Sequence, residues 1–366
     1  MIQVIENVND LERIKTSCNI LADKVKMPLL RYEWLRNCAG ILSSGENIKV
    51  FVINEENEIK AIAPLVLRRN FLTERFEIIG SSLHKEPTGI LFKDKESLIK
   101  LLHEIINYGY PIYLNGLRTY STETACIASI CMDEEIHSLI KNANVLSLPI
   151  NENWKEFQDS ISSSRRSSLR RLERIANSMG KLTIEIISPS ADELDNYLKD
   201  VFSVEASNWK KRMGTAMLYN SKLGIFFRNY MKESAELGFL RLFYLRINDI
   251  VIAVQIGIEY ANRLWLLKIG FDEKWSKCSP GIILMHEVIR NSFEKKLDSI
   301  EFLGSDEPWL HIWTEKYHDL ISCLLYRSPI TTAADLAAEL SYSIFNKVHY
   351  KIAKKLVTQN RKLSNA

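Results

Sequence analysis

The stretch RLWLLKIGFDEKWSKCSPGIILMHEVIRNSFEKKLDSIEFLGSDEPWLHIW, from Arg263 to Trp313, constrains the chain more than any other. It reads as an apolar strand, a polar loop, a helix that starts at Pro280-Gly281, a second strand and an acidic turn. A strand–helix–strand unit with polar groups concentrated in its loops is where chemistry is expected, because loops on a rigid scaffold carry most binding and catalytic residues.

The rest of the chain is long enough to surround that unit with a second domain. At 366 residues, 46% hydrophobic and 25% charged, it has the composition of a soluble globular protein. The formal charge of +3 is small for this length, so no global field argues for nucleic acid or an anionic membrane. The first twenty residues contain acidic residues and lack a continuous apolar run, and no run approaches the ~18 apolar residues of a membrane span, so a cytoplasmic protein is expected. Six scattered cysteines form no CxxC pair and have no matching histidine spacing, so reduced thiols and no metal are expected. Cys278 stands beside the proposed site; an inert filler is the reading for it.

In order, DLERIKTSCNILADKV and YEWLRNCAGIL space their apolar residues as helices, and IKVFVINEENEIKAIAPLVLRR reads as two strands turning at Glu55 to Glu58. RFEIIG adds a third strand, ESLIKLLHEIINYG a helix and PIYLNGL a further strand. A poorly patterned connection over 121–148 leads to a domain boundary near residue 150. SSSRRSSLRRLERIANSMGK follows, with Arg165, Arg166, Arg170, Arg171 and Arg174 in ten positions. Then come the strand LTIEIIS, a helix capped by Ser190, a helix ending at Gly238, and a hairpin turning at Asn248-Asp249. CLLYR reads as a last strand, and the tail from 331 as a helix with a basic end able to touch a membrane or partner. Each half repeats the same element order, so two related domains are expected at 1–150 and 151–330, with a helical basic tail at 331–366.

The ordered motifs SRRSSLRRLERIANSMG, NWKKRMG, INDIVIAVQIGIEY, FDEKWSKCSPGIILMHEVI and EFLGSDEPWLHIW resemble the tandem-GNAT acyltransferases of cellulose and other polysaccharide biosynthesis, which are similar in turn to Fem-type peptidyltransferases. The resemblance implies an α/β (α+β) fold of two GNAT-like domains, each a mixed, mostly antiparallel sheet flanked by helices, with acyl-CoA as co-substrate in the second. Leu310 stands where such proteins carry a lysine after the aromatic residue of the last turn.

Acyl-CoA binding needs donors for a pyrophosphate and an open strand edge for pantetheine amides. Ser279, Pro280, Gly281 and Ile282 at the helix start offer the first, and the strand containing Lys268 the second. Backbone N–H groups around Gln255, Ile256 and Gly257 are candidates for an oxyanion site. Asp306 is the first choice of base, ahead of Glu307 and Glu259, with His311 as a titrating neighbour. Trp309 and Trp313 are expected to wall an acceptor pocket, and Arg166, Arg170 and Trp209 to contact a substrate. His286 is expected to be a packed histidine. The function expected is an acyl-CoA-dependent N-acyltransferase acting on an amine, possible acceptors being an amino sugar or glycan precursor, with no specific nucleic-acid partner. The alternatives are a Fem-type transferase that uses aminoacyl-tRNA and a non-catalytic tandem-GNAT binding protein.

Overall fold

A computed structural model describes residues 2–69, 73–81, 86–134, 136–207, 217–218, 221–304, 306–327 and 333. The tail expected over 331–366 therefore lies outside the described residues apart from Ala333. The first half contains β1 (Ile2–Ile5), α1 (Lys15–Val25), α2 (Tyr32–Asn37), β2 (Asn47–Glu55), β3 (Glu58–Arg69), β4 (Glu74–Ile78), β5 (Leu91–Phe92), α3 (Lys95–Asn107), β6 (Ile112–Arg118), α4 (Thr122–Asp133) and β7 (His137–Pro149). The second contains α5 (Trp154–Ser160), α6 (Ser163–Met179), β8 (Leu182–Ile187), α7 (Leu194–Glu205), α8 (Ser221–Glu236), β9 (Leu240–Ile247), β10 (Ile250–Tyr260), β11 (Arg263–Phe271), α9 (Pro280–Glu294), β12 (Ser299–Glu301) and β13 (Tyr317–Tyr326).

Local chemistry explains the hairpins. Glu56-Asn57, Asn248-Asp249 and Ala261-Asn262 all have positive φ, the left-handed two-residue geometry that matches the twist of antiparallel strands. Ser190 marks the entry to α7 by a reciprocal pair of bonds: Glu193 N–H donates to its hydroxyl, and its own N–H donates to the Glu193 carboxylate. Each half then makes one parallel connection through a helix, β4–α3–β6 and β11–α9–β12.

One continuous sheet joins the halves, in the order β1-β2-β3-β4-β6-β13-β7-β12-β11-β10-β9-β8 with β5 beside β3. Its middle is an exchange. β13, from the end of the second half, pairs with β6 of the first, while β7, from the first, pairs through Ser147–Pro149 with β12 of the second. The two exchanged strands also pair antiparallel along the whole of β13.

The connection expected to be poorly patterned over 121–148 is in fact α4 followed by β7. Its pattern was hidden because residues 137–144 of β7 are exposed, so no apolar alternation marks the strand. α4 has a capping box at Ser121 and Thr124, and it buries a carboxyl, Glu123, in its first turn among Cys126, Ile127 and Ile130.

Three apolar cores result. One lies under α3 and α4 on the outer face of the first half and includes Ile321, Cys323 and Leu325 of β13. A second lies under α5, α6 and α9 on the outer face of the second half. The third packs α1, α2, α7 and α8 between the halves, with Trp34 edge-on to Phe226 and Tyr230 and ion-paired Arg36 and Glu233 at the rim. Among the described residues no helix is long and apolar enough to cross a membrane.

The exchange has a measurable consequence. Leu325→Ala removes a buried side chain of the second half's last strand from the first half's core, and it is expected to cost about 2–5 kcal/mol in denaturant unfolding. A fragment ending at Pro149 lacks β13 and is expected to show no cooperative thermal transition by circular dichroism; a sharp melt would contradict the exchanged topology.

Candidate active site

The two parallel strand pairs diverge, and the halves treat the resulting notch differently. In the first half, the segment 86–90 lies against β6 beyond the end of β4: Thr88 N–H donates to Gly116 O at 3.1 Å, and the Thr88 hydroxyl donates to Asn115 O. Gly116 makes this possible. It has φ +76°, and a Cβ there would stand 2.9 Å from Glu86 O and 3.3 Å from Thr88 N.

In the second half the notch stays open. β11 pairs with β12 only over Arg263–Trp265, and its edge from Leu266 to Phe271 has no strand partner on that side among the described residues. A register shift at Ile256/Gly257 leaves Leu267 without an opposite residue on β10 and bends β11 there. The opening is a cleft of about 690 Å³. On one side Gly281, Ile282, Met285 and Leu310 line it; on the other stand Glu86, Leu267, Lys268, Leu303 and Gly304. The cleft therefore passes through the sheet, from α9 on the outer face to the core between the halves.

Glu86 is the one acidic group that the first half contributes to this lining, and the sequence did not single it out. It is 8% exposed, and its Oε2 accepts the Gly304 N–H at 3.0 Å. Burial pushes its carboxyl pKa up, against the opposing pull of Lys268 and the Gly304 bond. Gln255, from β10, is 2% exposed, and its Oε1 has no hydrogen-bond partner among the described residues, leaving a buried acceptor in the cleft wall. Lys268 also lies over the Phe227 ring at 5.1 Å.

The start of α9 carries the expected polar backbone. Ser279 adopts a left-handed conformation (φ 48°), its carbonyl accepts from Ile282 and Ile283, and its hydroxyl makes no capping bond. The Gly281 N–H faces a helix end with no residue in the capping role. A Cβ on Gly281 would meet only Phe271 Cδ1, at 3.5 Å, so this glycine borders open space rather than tight packing.

Of the residues expected in the site, Gln255, Lys268, Ser279, Gly281, Ile282, Glu307 and Trp309 line the cleft. Pro280 is buried at the first turn of α9, beside the lining. Others are elsewhere. Ile256 faces the core between the halves, and Gly257 packs on Leu264, where a Cβ would come within 2.7 Å. β10 is paired on both edges, by β9 and β11, so its N–H groups are engaged in the sheet and the donors open to an oxyanion belong to β11 instead. Asp306 and His311 lie outside the lining. His311 bridges Asp306 Oδ1 at 2.7 Å and Glu315 Oε2 at 2.8 Å, and these two carboxylates, Glu315 foremost, raise its pKa. Asp306 is engaged by His311 there, and the carboxylates that line the cleft are Glu86 and Glu307.

Glu259 is tied to Arg241 at 3.0 Å and Lys295 at 2.7 Å; burial raises its pKa, but those bonds outweigh it and the net shift is downward. Trp313 is 4% exposed and stacks on His286, away from the lining. Arg166 caps the end of α5, its Nη1 donating to the carbonyls of Gln158, Asp159 and Ile161 at 3.0, 2.9 and 2.7 Å. Arg170 is exposed on α6, and Trp209 lies outside the described residues. Cys278 is buried with its thiol pKa raised by desolvation, as an inert filler should be.

With this geometry in hand, comparison with known proteins is decisive for the second half. Residues 163–310 match the acetyltransferase (GNAT) domain. Solved structures share the fold of nearly the whole chain at low sequence identity. FemX superposes with a TM-score of 0.59 at 12% identity, covering 85% of this chain and 95% of its own. L-PGS from Bacillus licheniformis gives 0.55 at 10% identity, covering 92% and 97%. A conserved Bacteroides thetaiotaomicron protein of unknown function gives 0.54 at 11%, covering 88% and 100%. No curated protein matches by sequence. The chain is thus a mixed α/β protein with a large sheet flanked by helices, similar over residues 163–310 to an acetyltransferase (GNAT) domain.

Glu86 gives this assembly a pH signature. Its folded pKa lies above its unfolded value, so the stability it contributes is complete below the ordinary carboxylate range and is lost as pH rises through the raised folded value. Glu86→Gln keeps an acceptor for the Gly304 N–H without the charge. The variant is expected to melt above wild type near ~pH 8 and to lose that advantage near ~pH 4; scanning calorimetry at both values checks it.

Proposed function

We propose that the protein is an acyl-CoA-dependent N-acyltransferase that moves an acyl group, acetyl being the simplest, to an amine. The acceptor class implied by the sequence resemblance is an amino sugar or glycan precursor. The observation that carries the reading is the buried Glu86 carboxyl standing in the same cleft as the unpaired edge of β11.

The donor side fits a CoA thioester. Pantetheine carries amides that pair with a free strand edge as an added strand would, and Leu266–Phe271 offers such an edge. The start of α9 presents positive backbone to a pyrophosphate, with Gly281 leaving room for it. The Gln255 Oε1, buried without a donor, is an acceptor for an amide N–H. CoA would supply an activated carbonyl and a thiolate leaving group.

Reaction requires a neutral amine. Glu86, its carboxyl pKa raised by burial, is a stronger base than an ordinary carboxylate and stands where it can take a proton from an ammonium group, directly or through water. N–H groups of the β11 edge supply hydrogen bonds to the charge that develops on the carbonyl oxygen, with no reorganisation of the sheet. The amine then enters from the side of the core between the halves, where Glu86 and Lys268 stand, and the donor from the side of α9. Opposite entry through one notch aligns the reactants without a moving part.

Calorimetric titration tests the reading. Acetyl-CoA or a longer acyl-CoA is expected to bind, and Gly281→Trp, which fills the mouth at α9, to abolish binding. Glu86→Gln is expected to bind the donor as wild type does while lowering kcat by about 10²-fold or more. A protein that ignores every acyl-CoA and binds aminoacyl-tRNA instead would replace this reading by the Fem-type one.

A further inference from the structure

Beside the cleft, on the junction of the two halves, two arginines lack the acceptors that half-buried guanidinium groups require. Arg118 ends β6 and Arg263 starts β11, and both are half-buried. The Arg118 guanidinium makes no hydrogen bond with any described residue, and burial pushes its pKa down, with Glu301 opposing and Arg263 pushing the same way as burial. Arg263 Nε is buried without a partner, and the nearest approach of Arg263 to an acid is Nη1 to Glu301 Oε1 at 4.0 Å, beyond hydrogen-bond reach.

Glu301 cannot satisfy the pair. Its carboxylate is already held by His318 Nε2 at 2.9 Å and by the Ser299 hydroxyl at 2.7 Å. One carboxylate against two guanidinium groups leaves at least one positive charge in partly desolvated surroundings, whatever the state of His318. A guanidinium offers five N–H donors in a fixed fork, and burying even one of them, as at Arg263 Nε, without an acceptor is costly. Such an arrangement calls for an explanation, and a bound group that supplies the missing acceptors is one.

The position relative to the cleft says what the ligand is part of. Arg118 lies two residues beyond Gly116, against which the Glu86 backbone packs, which is about 7 Å along a strand. Glu301 is followed directly by Phe302, Leu303 and Gly304, which line the cleft and hold Glu86. The cationic pair thus lies within a small molecule's length of the proposed base.

We propose that the acceptor amine carries an oxyanion group, a phosphate or a carboxylate, and that Arg118 and Arg263 bind that group while the amine faces Glu86. The claim rests on the acyltransferase reading for the amine, and on the unsatisfied arginines alone for the anion. Guanidinium forks match both oxyanions bidentately, so the two are separated by experiment.

Three small amines serve as probes on the full chain: phosphoethanolamine, glycine and ethanolamine, carrying a phosphate, a carboxylate and no anion. Each is titrated by calorimetry with and without acetyl-CoA. At least one anionic amine is expected to bind ten-fold or more tightly than ethanolamine, with the preference weakening as salt rises. Arg118→Gln is expected to reduce that preference ten-fold, with an unchanged acetyl-CoA affinity and a melting temperature equal to or above wild type, because the guanidinium it removes makes no hydrogen bond with any described residue. Equal binding of all three amines by wild type, which needs no variant to be folded, overturns the proposal, as does a preference that survives both Arg118→Gln and Arg263→Gln. Acetyl-CoA binding without anion preference would sink the site and leave the acyltransferase reading standing; an Arg118-dependent preference without acetyl-CoA binding would do the reverse.

Discussion

The antiparallel pairing of β7 with β13 is the constraint on which the rest of the molecule depends. Each strand is the last of its own half, and each lies in the sheet beside the penultimate strand of the other half. The halves are therefore joined by backbone hydrogen bonds on both sides of the exchange and cannot separate without opening both sheets. The exchange also sets the polar frame of the site: Thr314 donates to Ser147 O on β7 at 2.8 Å, just after the turn whose Glu307, Trp309 and Leu310 line the cleft. A rigid junction suits a cleft whose two walls come from different halves of the chain.

Much of the second half was legible because its signals are local. The hairpin at Asn248-Asp249, the helix start at Pro280-Gly281 and the strand from Arg263 are short-range patterns with steric causes, and the structure has all three where the sequence put them. Lys268 and Gly281 followed, because a residue on such an element is carried to the strand-end cleft by the element itself. What failed was non-local. β7 reads as loop because its first eight residues are exposed, and nothing within the segment CLLYR reveals that its strand completes the first half's core. Glu86 escaped for the same reason: its role comes from a notch in the first half that its own segment fills, beside a second notch that stays open. The trace it left is Gly116, a glycine inside an otherwise apolar strand, which marks the close approach of another backbone.

Asp306 shows the opposite failure. A carboxylate after a strand and before a proline stands at the right sequence position for a base, yet position does not fix what the carboxylate binds. His311, five residues on, lies between Asp306 and Glu315, which both bond its ring and raise its pKa, so the turn closes on itself. Glu86 differs in environment rather than in kind. Its single backbone donor and its burial leave the carboxyl poised to exchange a proton, whereas the Asp306 carboxylate is already bonded to the His311 ring.

The same contrast orders the arginines, which were the most conspicuous charges in the sequence. On α6 the cluster resolves into structural and solvent roles: Arg166 caps α5 through three carbonyls, and Arg170 and Arg171 stand in water, where an unpaired guanidinium loses little. Arg118 and Arg263 belong to no cluster in the sequence, being 145 positions apart on strands that only the exchange brings to one junction. There a guanidinium loses part of its hydration and has only the distant, already engaged Glu301 carboxylate to offset the loss. Function is therefore better marked by unmet hydrogen-bonding need in partly buried surroundings than by density of charge along the chain, and in this fold that need arises where the two halves trade strands.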